Sequence, residues 1–451
     1  MRKFKIAIYC GEIPPPTFID RLINGLAEQG SKLIIIGNLT QKVSYEFNNI
    51  KIVGYSGKIN KFFILMYYSL LLSLFRRKEK TQLKNWMKLN NKNNTISKIR
   101  YYPILYDKPD VFHLQWIKGI EDWVWVRDFD IKLIVSLRGA HINYTPICEP
   151  KYAEIYKKYF PLVDGFHGVS NEIIQEATKY NAEISKSNTV YSGLDLNYLT
   201  FNQQKPTNEV FQILSVGRSH WIKGYTVALD AMRILKNNNV KFHYTIVGVG
   251  QNEELQFQRK QLDLINEVEF VEKLPFDKII SKIQQSDVVL LPSFKEGIAN
   301  VILESMALGT PVISTDCGGI NEVVNDNENG FIVPIRNPEV MAIALQKVAN
   351  LDESTYVKII NNARNSIENN HTESKMIQDM MLLYKKVMAN KPKIGLVLAN
   401  VPAYSETFLI QKLKVYKRMV LTLFCFLVVK VKLVIPLVKQ FLLLILIYDF
   451  H

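Results

Sequence analysis

Short apolar runs alternate with segments of helical periodicity along most of the chain. Turn-forming Gly, Pro or Asp residues separate many of them. In the first part of the chain this pattern predicts a helix at Phe18–Gln29 and strands at Phe4–Cys10, Lys32–Ile36, Lys51–Val53, Asp110–Trp116, Ile131–Leu137, Gly165–Ser170 and Asn188–Gly193. Strands that are apolar throughout are typical of a parallel sheet covered by helices on both faces.

The second part repeats the pattern with clearer boundaries. The predicted strands are Gln212–Gly217, Phe242–Gly248, Val268–Val271, Val288–Pro292, Pro311–Ser314 and Phe331–Val333. The predicted helices are Tyr225–Lys236, Glu253–Leu264, Asp277–Gln285, Asn300–Leu308, Ile320–Val324, Pro338–Leu351, Glu353–Ile367 and Ser374–Met388. Such a βαβ series predicts a doubly wound domain with its ligand at the carboxyl ends of the strands.

The polar segment Gln203–Thr207 contains Pro206 and separates the two series. We therefore predict two α/β domains, residues 1–205 and 206–390, that face each other across a ligand-binding cleft. For the last helix of the second domain two positions stay open: on its own domain, or packed back on the first domain.

The segment Phe62–Phe75 is almost wholly apolar and precedes the basic run Arg76–Lys80. It is too short to span a bilayer. Two interpretations stay open: a buried helix, or an interfacial helix whose basic flank meets anionic lipid.

The formal net charge of +14 and the pI of about 9.3 favour anionic partners. No zinc spacing or RNA-binding motif accompanies this charge, so nucleic acid is not expected as a partner. The four cysteines are scattered, which is typical of a reducing compartment. The N-terminal residues lack the features of a signal peptide, so we expect a cytoplasmic location.

The strongest candidate site lies in Phe294–Ile313. Glu296 follows a strand, and Asn300 is predicted as the N-cap of the next helix. The backbone amides of Gly297–Val301 would then form an electropositive helix start that suits an anion. Glu304, one turn into the helix, suits hydrogen bonds from sugar hydroxyls.

A second candidate follows the first strand of the second domain, in Ser215–Gly224. Gly217 allows a tight turn, and Arg218 and Lys223 place two cations at the end of that strand. Two fixed cations suit a diphosphate, although solvated surface charges are the alternative.

Together these stretches resemble the family-4 glycosyltransferases, retaining enzymes with the GT-B fold. The resemblance covers about residues 4–390 and is strongest over Gln212–Pro334, where Glu296 and Glu304 form a Glu-x7-Glu pair. It implies catalytic roles for Arg218, Lys223, Glu296 and His141 and contacts with the donor from Gly217, Arg218, Lys223, Gly248, Leu274, Glu296, Gly297, Ile298, Ala299, Asn300, Val301 and Glu304. Leu274 lies in the segment Glu272–Pro275, which would meet the nucleotide base.

The first domain departs from the family pattern at two places. The loop Gly11–Phe18 has one Gly and three prolines where many relatives have a Gly-Gly loop, which puts its phosphate contact in doubt. Arg138 occupies the usual position of a donor-binding His, and His141 lies three residues further on. His141 either reaches the cleft or is a loop residue bonded to the backbone, whereas His113 is expected to be structural.

The resemblance implies a retaining hexosyltransferase that uses a UDP-, GDP- or ADP-sugar and needs no metal or other cofactor. No Asp-x-Asp pair suited to Mg²⁺ is found. The acceptor is expected to be a glycan or a lipid-linked molecule of lipopolysaccharide or capsule synthesis, which adds a peripheral contact with the inner face of the plasma membrane. The alternatives are a GT-B epimerase, a phosphorylase with lysine-bound pyridoxal phosphate, and a nucleotide-sugar-binding protein without transfer activity.

Residues 391–451 do not continue the second domain. Lys393–Phe408 resembles the first strand and loop of another such transferase, and the tail Val415–His451 is rich in Leu, Val, Phe and Lys. We interpret this region as the opening of a neighbouring enzyme whose reading frame is lost after about Lys414. A single membrane helix in the tail is the alternative.

Overall fold

The computed structural model describes residues 3–389, 393–398, 422–428 and 445–448. The chain divides into two compact units, Met1–Tyr384 and Lys385–His451. Predictions for residues 399–421 and 429–444, which include most of the tail, lie outside the described residues.

The first part of the unit Met1–Tyr384 contains a parallel sheet in the strand order β3-β2-β1-β4-β5-β6-β7. Its strands are β1 (Lys5–Ile13), β2 (Lys32–Leu39), β3 (Ile50–Tyr55), β4 (Val111–Leu114), β5 (Lys132–Leu137), β6 (Gly165–Gly168) and β7 (Ser187–Thr189). The order reverses between β1 and β4, which is the point where ligands bind in doubly wound folds.

The second part contains another parallel sheet, in the order β10-β9-β8-β11-β12-β13. Its strands are β8 (Phe211–Val216), β9 (Phe242–Val247), β10 (Val268–Val271), β11 (Val288–Leu291), β12 (Val312–Thr315) and β13 (Phe331–Val333). The sequence prediction of two doubly wound α/β domains is confirmed.

The helices of the first domain are α1 (Thr17–Glu28), α2 (Lys58–Phe75), α3 (Arg77–Leu89), α4 (Thr95–Asp107), α5 (Ile120–Trp123), α6 (Gly139–Asn143), α7 (Thr145–Cys148), α8 (Pro150–Tyr159) and α9 (Asn171–Thr178). Those that follow β8 are α10 (Tyr225–Asn237), α11 (Glu253–Gln261), α12 (Phe276–Gln285), α13 (Asn300–Leu308), α14 (Pro338–Ala349), α15 (Glu353–Asn370) and α16 (Glu373–Ala389). The predicted helix at Ile320–Val324 is a 3₁₀ turn, Gly318–Glu322.

Alternate residues of the second sheet belong to separate apolar clusters. Val288 and Leu290 of β11 lie in one cluster with Ile313, whereas Val289 and Leu291 lie in another with Ile302. Because successive side chains of a strand point to opposite faces, both faces of the sheet are covered. The strands are apolar along nearly their whole length because both faces of the sheet are buried.

The interpretation of Phe62–Phe75 as a buried helix is wrong. Helix α2 begins at Lys58, four residues earlier, and only Tyr68 and Leu72 of its side chains are buried. By length and composition alone, α2 is the one helix among the described residues that could cross a membrane. Its apolar residues lie on both faces, so a hydropathy pattern did not distinguish the face that packs on the domain from the face in solvent.

The chain passes from the first domain to the second after Leu194, and it passes back to the first domain near His371. Helix α15 packs in the second domain through Ala363 and Ile367. Helix α16 then returns to the first domain, where the Tyr384 hydroxyl lies 2.8 Å from Nδ1 of His113. At the crossing, the backbone N–H of Leu194 donates to the carbonyl of His371 at 2.8 Å.

In the unit Lys385–His451 three described strands form a sheet in the order β14-β15-β16. Its strands are β14 (Lys393–Leu398), β15 (Thr422–Val428) and β16 (Ile445–Tyr448), with β14 and β15 parallel and β15 and β16 antiparallel.

Candidate functional site

A cavity of about 550 Å³ lies at the carboxyl ends of the two sheets of the unit Met1–Tyr384. Its size is typical of small-molecule sites. Ten of the residues predicted from the sequence line it: His141, Arg218, Lys223, Glu296, Gly297, Ile298, Ala299, Asn300, Val301 and Glu304. Residues separated by more than 160 positions in the chain are therefore brought to one site.

Lys223 and Glu296 form the charged centre of this cavity. Lys223 ends a 3₁₀ turn after β8, and Gly224 follows in the left-handed region with φ 66°. A Cβ on Gly224 would collide with the carbonyl oxygen of Pro292, so this turn requires glycine. The Lys223 Nζ donates to Glu296 Oε1 at 2.7 Å, and Ser293 Oγ donates to the same oxygen at 2.8 Å.

The start of α13 forms the wall beside Glu296. The predicted N-cap at Asn300 is wrong, because Asn300 is the first helical residue and Ala299 precedes it with φ −80° and ψ 119°. No side chain caps this helix. The first amide N–H groups of an α-helix have no partner within the helix, so an uncapped start within the cavity wall offers donors and a positive dipole to an anion.

Arg218 lies on the same wall and is exposed to solvent. Within the described part of the chain its guanidinium forms no hydrogen bond or ion pair. Gly217 and Gly248 do not line the cavity but bring the two loops together, since a Cβ on Gly248 would lie 2.6 Å from the carbonyl oxygen of Gly217. Gly248 has φ 97°, which favours glycine.

Glu304 lies where this cavity meets a second one of about 690 Å³. Its residue exposure is 8%, and burial raises the pKa of its carboxyl to about 7, an effect that the nearby Arg21 partly offsets. The carboxylate accepts no hydrogen bond from the residues that the structure describes. A buried acceptor of this kind suits a ligand that brings its own hydroxyl donors.

The second cavity lies between the two domains next to Glu304. Its lining residues include Arg21 and Trp116 of the first domain and Lys273 and Phe276 of the second. The end of β1, the three prolines that follow it and the start of α1 also line it, through Gly11, Glu12, Pro14, Pro15, Pro16, Thr17 and Phe18. Leu274, the predicted base contact, instead packs against the apolar cluster of the second domain, because neighbouring residues of this loop point in different directions.

The first domain supplies the opposite wall through Arg138 and His141. Arg138 Nη2 donates to Gln115 Oε1 at 2.9 Å and its guanidinium lies 4.5 Å from the ring centre of Phe18. Burial lowers the pKa of Arg138 to about 9. His141 reaches the cavity, and burial together with the positive Lys118 and Arg218 lowers its pKa to about 4.

His113 has the structural position that the sequence suggested. It is fully buried between Tyr384 and Ser136, whose Oγ lies 2.9 Å from its Nε2. Burial, with His167 and Arg138 nearby, holds its pKa well below the ordinary value. A neutral imidazole with both nitrogens bonded serves packing between β4 and α16.

Polar contacts join the two domains beside the cavity. Asn143 Nδ2 donates to the carbonyl of Glu296 at 3.4 Å. Lys295 pairs with Glu172. The carboxylate of Glu322 accepts the backbone N–H groups of Asn171 and Glu172, each at 2.9 Å, so a residue of the second domain caps helix α9 of the first.

Sequence analysis missed Arg21 and Phe276, whereas Phe18 and Lys273 lie in the segments Gly11–Phe18 and Glu272–Pro275 that it singled out. Arg21 lies within an otherwise ordinary amphipathic helix, and its role depends on the facing domain, so no local pattern marks it. Among the described residues no group of three or more His, Cys, Asp or Glu side chains could hold a metal ion.

The fold described above is the GT-B fold, and comparisons with solved structures agree. The structure of Anabaena Alr3699/HepE in complex with UDP-glucose matches this chain with a TM-score of 0.65 and 16% sequence identity, and the match covers 85% of this chain and 99% of that one. At this identity the match establishes the architecture and no more.

The match to a known family lies mainly in the second domain. Residues 199–366 match the family model of the glycosyl transferases group 1. The chain is 30% identical over 259 residues to the putative colanic acid biosynthesis glycosyltransferase WcaL of Escherichia coli, which covers 55% of this chain and 61% of that protein. It is 27% identical over 260 residues to the amylovoran biosynthesis glycosyltransferase AmsK of Erwinia amylovora, a match that covers 55% of this chain and 63% of that protein. The chain thus spans less than two thirds of these relatives.

Proposed function

We propose that this chain is a glycosyltransferase that moves a sugar from a nucleotide diphosphate sugar to an acceptor during the synthesis of a bacterial surface polysaccharide. One observation carries the proposal: a single cavity unites Arg218, Lys223 and the uncapped start of α13 with the carboxylates of Glu296 and Glu304. Two cations and a helix dipole suit a diphosphate, and the carboxylates suit sugar hydroxyls.

The donor would lie across both cavities. Its diphosphate would meet Arg218, Lys223 and the first amides of α13, and its sugar hydroxyls would donate to Glu296. Glu304, at the junction of the cavities, would accept from the ribose. The base would then enter the second cavity beside Lys273 and Phe276.

The reaction would break the bond between the anomeric carbon and the diphosphate oxygen. The acceptor oxygen bonds to that carbon, and its proton passes to an oxygen of the leaving diphosphate. We propose attack on the face from which the diphosphate leaves, which retains the anomeric configuration. Arg218 and Lys223 would stabilise the negative charge that develops on the leaving group, so we propose that no metal is required.

The acceptor is proposed to be a growing glycan or a lipid-linked sugar at the inner face of the plasma membrane. The names of the relatives support this, because WcaL and AmsK are described as transferases of colanic acid and amylovoran biosynthesis. We propose a hexose as the transferred sugar and a UDP-, GDP- or ADP-sugar as the donor.

A protein that binds a nucleotide sugar without transferring it is the second candidate. It is favoured by the first domain, where Arg138 takes the position of the usual histidine and is tied to Gln115. The proline-rich loop after β1 also offers fewer amide donors than a Gly-Gly loop. This candidate would bind a donor without turnover.

The test is donor hydrolysis and transfer by the purified chain with UDP-, GDP- and ADP-sugars. Replacing Lys223 or Glu296 by Ala is expected to abolish turnover of the active donor. Lys375→Ala is a matched control, because Lys375 pairs with Asp379 on the outside of α16. Full activity of either cavity variant would refute the proposed roles, and donor binding without turnover in the parent would establish the second candidate.

A further inference from the structure

Helix α2 presents an apolar face to solvent. The outward side chains recur with spacings of three and four residues, so they form one stripe along the helix. Each of them is more than half exposed: Ile59, Phe62, Phe63, Met66, Tyr67, Leu70, Leu74 and Phe75. A contiguous apolar surface of this kind is uncommon on a soluble domain and marks a contact site.

The opposite face of α2 fixes the helix on the domain. Tyr68 and Leu72 are buried against the first domain's core. The Nζ of Lys80 in α3 donates to the Ser69 carbonyl at 2.6 Å and to the hydroxyls of Ser69 and Ser73, each at 2.7 Å. These bonds hold α2 against α3, so the outer stripe of α2 is presented at a fixed orientation.

Positive charge is concentrated in the same part of the chain. Residues 58–100 contain eleven Lys and Arg against one acidic residue, Glu79, which accounts for +10 of the formal net charge of +14. Glu79 is already paired with Arg76 at 3.2 Å. Four cations lie exposed on the outward face of α3: Arg77, Lys78, Lys84 and Lys88.

We infer that the outer stripe of α2, flanked by the cations of α3, docks on the surface of an anionic lipid bilayer. The apolar side chains would enter the boundary between headgroups and acyl chains, and the cations would meet the headgroups. This inference is argued from the surface of α2 and α3. It identifies the part of the protein that would contact the membrane if the acceptor lies at the inner face of the plasma membrane, as proposed above.

The contacts of α2 favour an in-plane orientation over a span. Its 18 residues measure about 27 Å, close to the hydrocarbon thickness of a bilayer. A span would have to withdraw Tyr68 and Leu72 from the core and break the three bonds of Lys80. Lying on the membrane buries the outer stripe and leaves those contacts intact.

The first test is co-sedimentation of the full chain with vesicles of phosphatidylglycerol and of phosphatidylcholine, without nucleotide sugar. We expect binding to the anionic vesicles that weakens at high salt. The apolar variant carries Phe62→Ser, Phe63→Ser, Leu70→Ser and Leu74→Ser, and the charge variant carries Arg77→Glu, Lys78→Glu, Lys84→Glu and Lys88→Glu. Each is expected to lower binding at least about tenfold.

Matched controls come from the other domain and from α16. Phe257, Ile343 and Leu382 are also more than half exposed, and their replacement by Ser should leave binding unchanged. Lys260→Glu is a control for a single exposed charge. Unchanged vesicle binding by the apolar variant would overturn the inference.

A second test identifies what covers the stripe. The photo-crosslinking amino acid p-benzoylphenylalanine is placed at Phe63, with Phe257 as the control position. Adducts of lipid at Phe63 alone support the inference, whereas a cross-linked dimer or a protein adduct in the presence of vesicles would assign the face to another partner and overturn it. Donor hydrolysis in solution should be the same in all variants. A loss of the membrane inference would therefore leave the proposed transferase function standing, and a chain without transferase activity could still bind the vesicles.

Discussion

The Nζ atom of Lys223 lies 2.7 Å from Oε1 of Glu296, and each of the two side chains is 16% exposed. Ser293 holds the same carboxylate oxygen, so the carboxylate has a fixed direction before any ligand enters. The pair places a cation for a diphosphate and an acceptor for a sugar hydroxyl side by side. The Lys223–Glu296 pair should therefore contribute both to the stability of the fold and to binding of the donor.

Lys223→Ala and Glu296→Ala are each expected to lower turnover at least about 100-fold, because Lys223 would stabilise the charge on the leaving diphosphate and Glu296 would hold the donor sugar in position. Each single change also leaves a partly buried charge without its partner. The loss of unfolding free energy in the double variant should therefore be smaller than the sum of the single losses. Urea denaturation of the three variants measures this, and strictly additive losses would show that the pair is not coupled.

Glu304 should make the fold less stable as pH rises. Its folded pKa of about 7 lies above the ordinary 4.5, so the native state holds a proton that the unfolded chain releases. Stability is thus highest below about pH 4.5 and is lost as pH rises to about 7, by about 3 kcal/mol at most. Glu304→Gln should raise the melting temperature at pH 8 and have little effect near pH 4.5, with exposed Glu328→Gln as control.

The same substitution should weaken donor binding. A carboxylate accepts stronger hydrogen bonds from a ribose diol than an amide does, and losing that difference costs about tenfold in affinity. Calorimetric titration of the parent and Glu304→Gln with the active donor measures the change. Equal affinities would place the ribose elsewhere.

His141 is expected to act as a neutral hydrogen-bonding group. Its pKa of about 4 keeps the imidazole uncharged above about pH 5. His141→Gln should lower the transfer rate while leaving the shape of the rate–pH profile between about pH 6 and 8 unchanged. If one limb of the profile disappears in this variant, His141 titrates in that range and serves as an acid or base.

Glu322 should control how closely the two domains approach. Its carboxylate accepts both first amides of α9, so Glu322→Ala removes a cap and a contact between domains together. We expect a larger radius of gyration in solution scattering and a higher KM for the donor. Tyr191→Phe removes the hydroxyl's bonds to Glu322 and Asn171 but leaves the two amide bonds of Glu322, so it should have a much smaller effect. Equal effects of the two changes would contradict this role.

Much of the fold was predictable because local patterns determine it. The strand Val268–Val271 and the helix Asn300–Leu308 have the predicted bounds. Charged residues flank the strand, and Gly309 follows the helix. The N-cap of α13 was misplaced because Asn300 is a strong capping residue by type, while the chain adopts extended geometry one residue earlier, at Ala299.

Features that depend on the second domain were not predictable. Arg21 affects the pKa of Glu304 across the cleft, and nothing near it in sequence shows this. The exposed face of α2 was missed for a related reason, because hydropathy gives the polarity of side chains and not what covers them. Leu274 was predicted to contact the base, but its neighbour Lys273 lines the cavity. The sequence pattern did not distinguish which of these two adjacent side chains faces the cavity.

The bond between Leu194 and His371 at the double crossing limits how the domains can move. The two segments lie side by side, joined also by the N–H of Glu373, which donates to the Leu194 carbonyl at 3.2 Å. Sliding or twisting one domain on the other would pull these segments apart, whereas rotation about the line along them would not. Opening and closing should therefore follow one rotational coordinate, whose axis lies along these two paired segments.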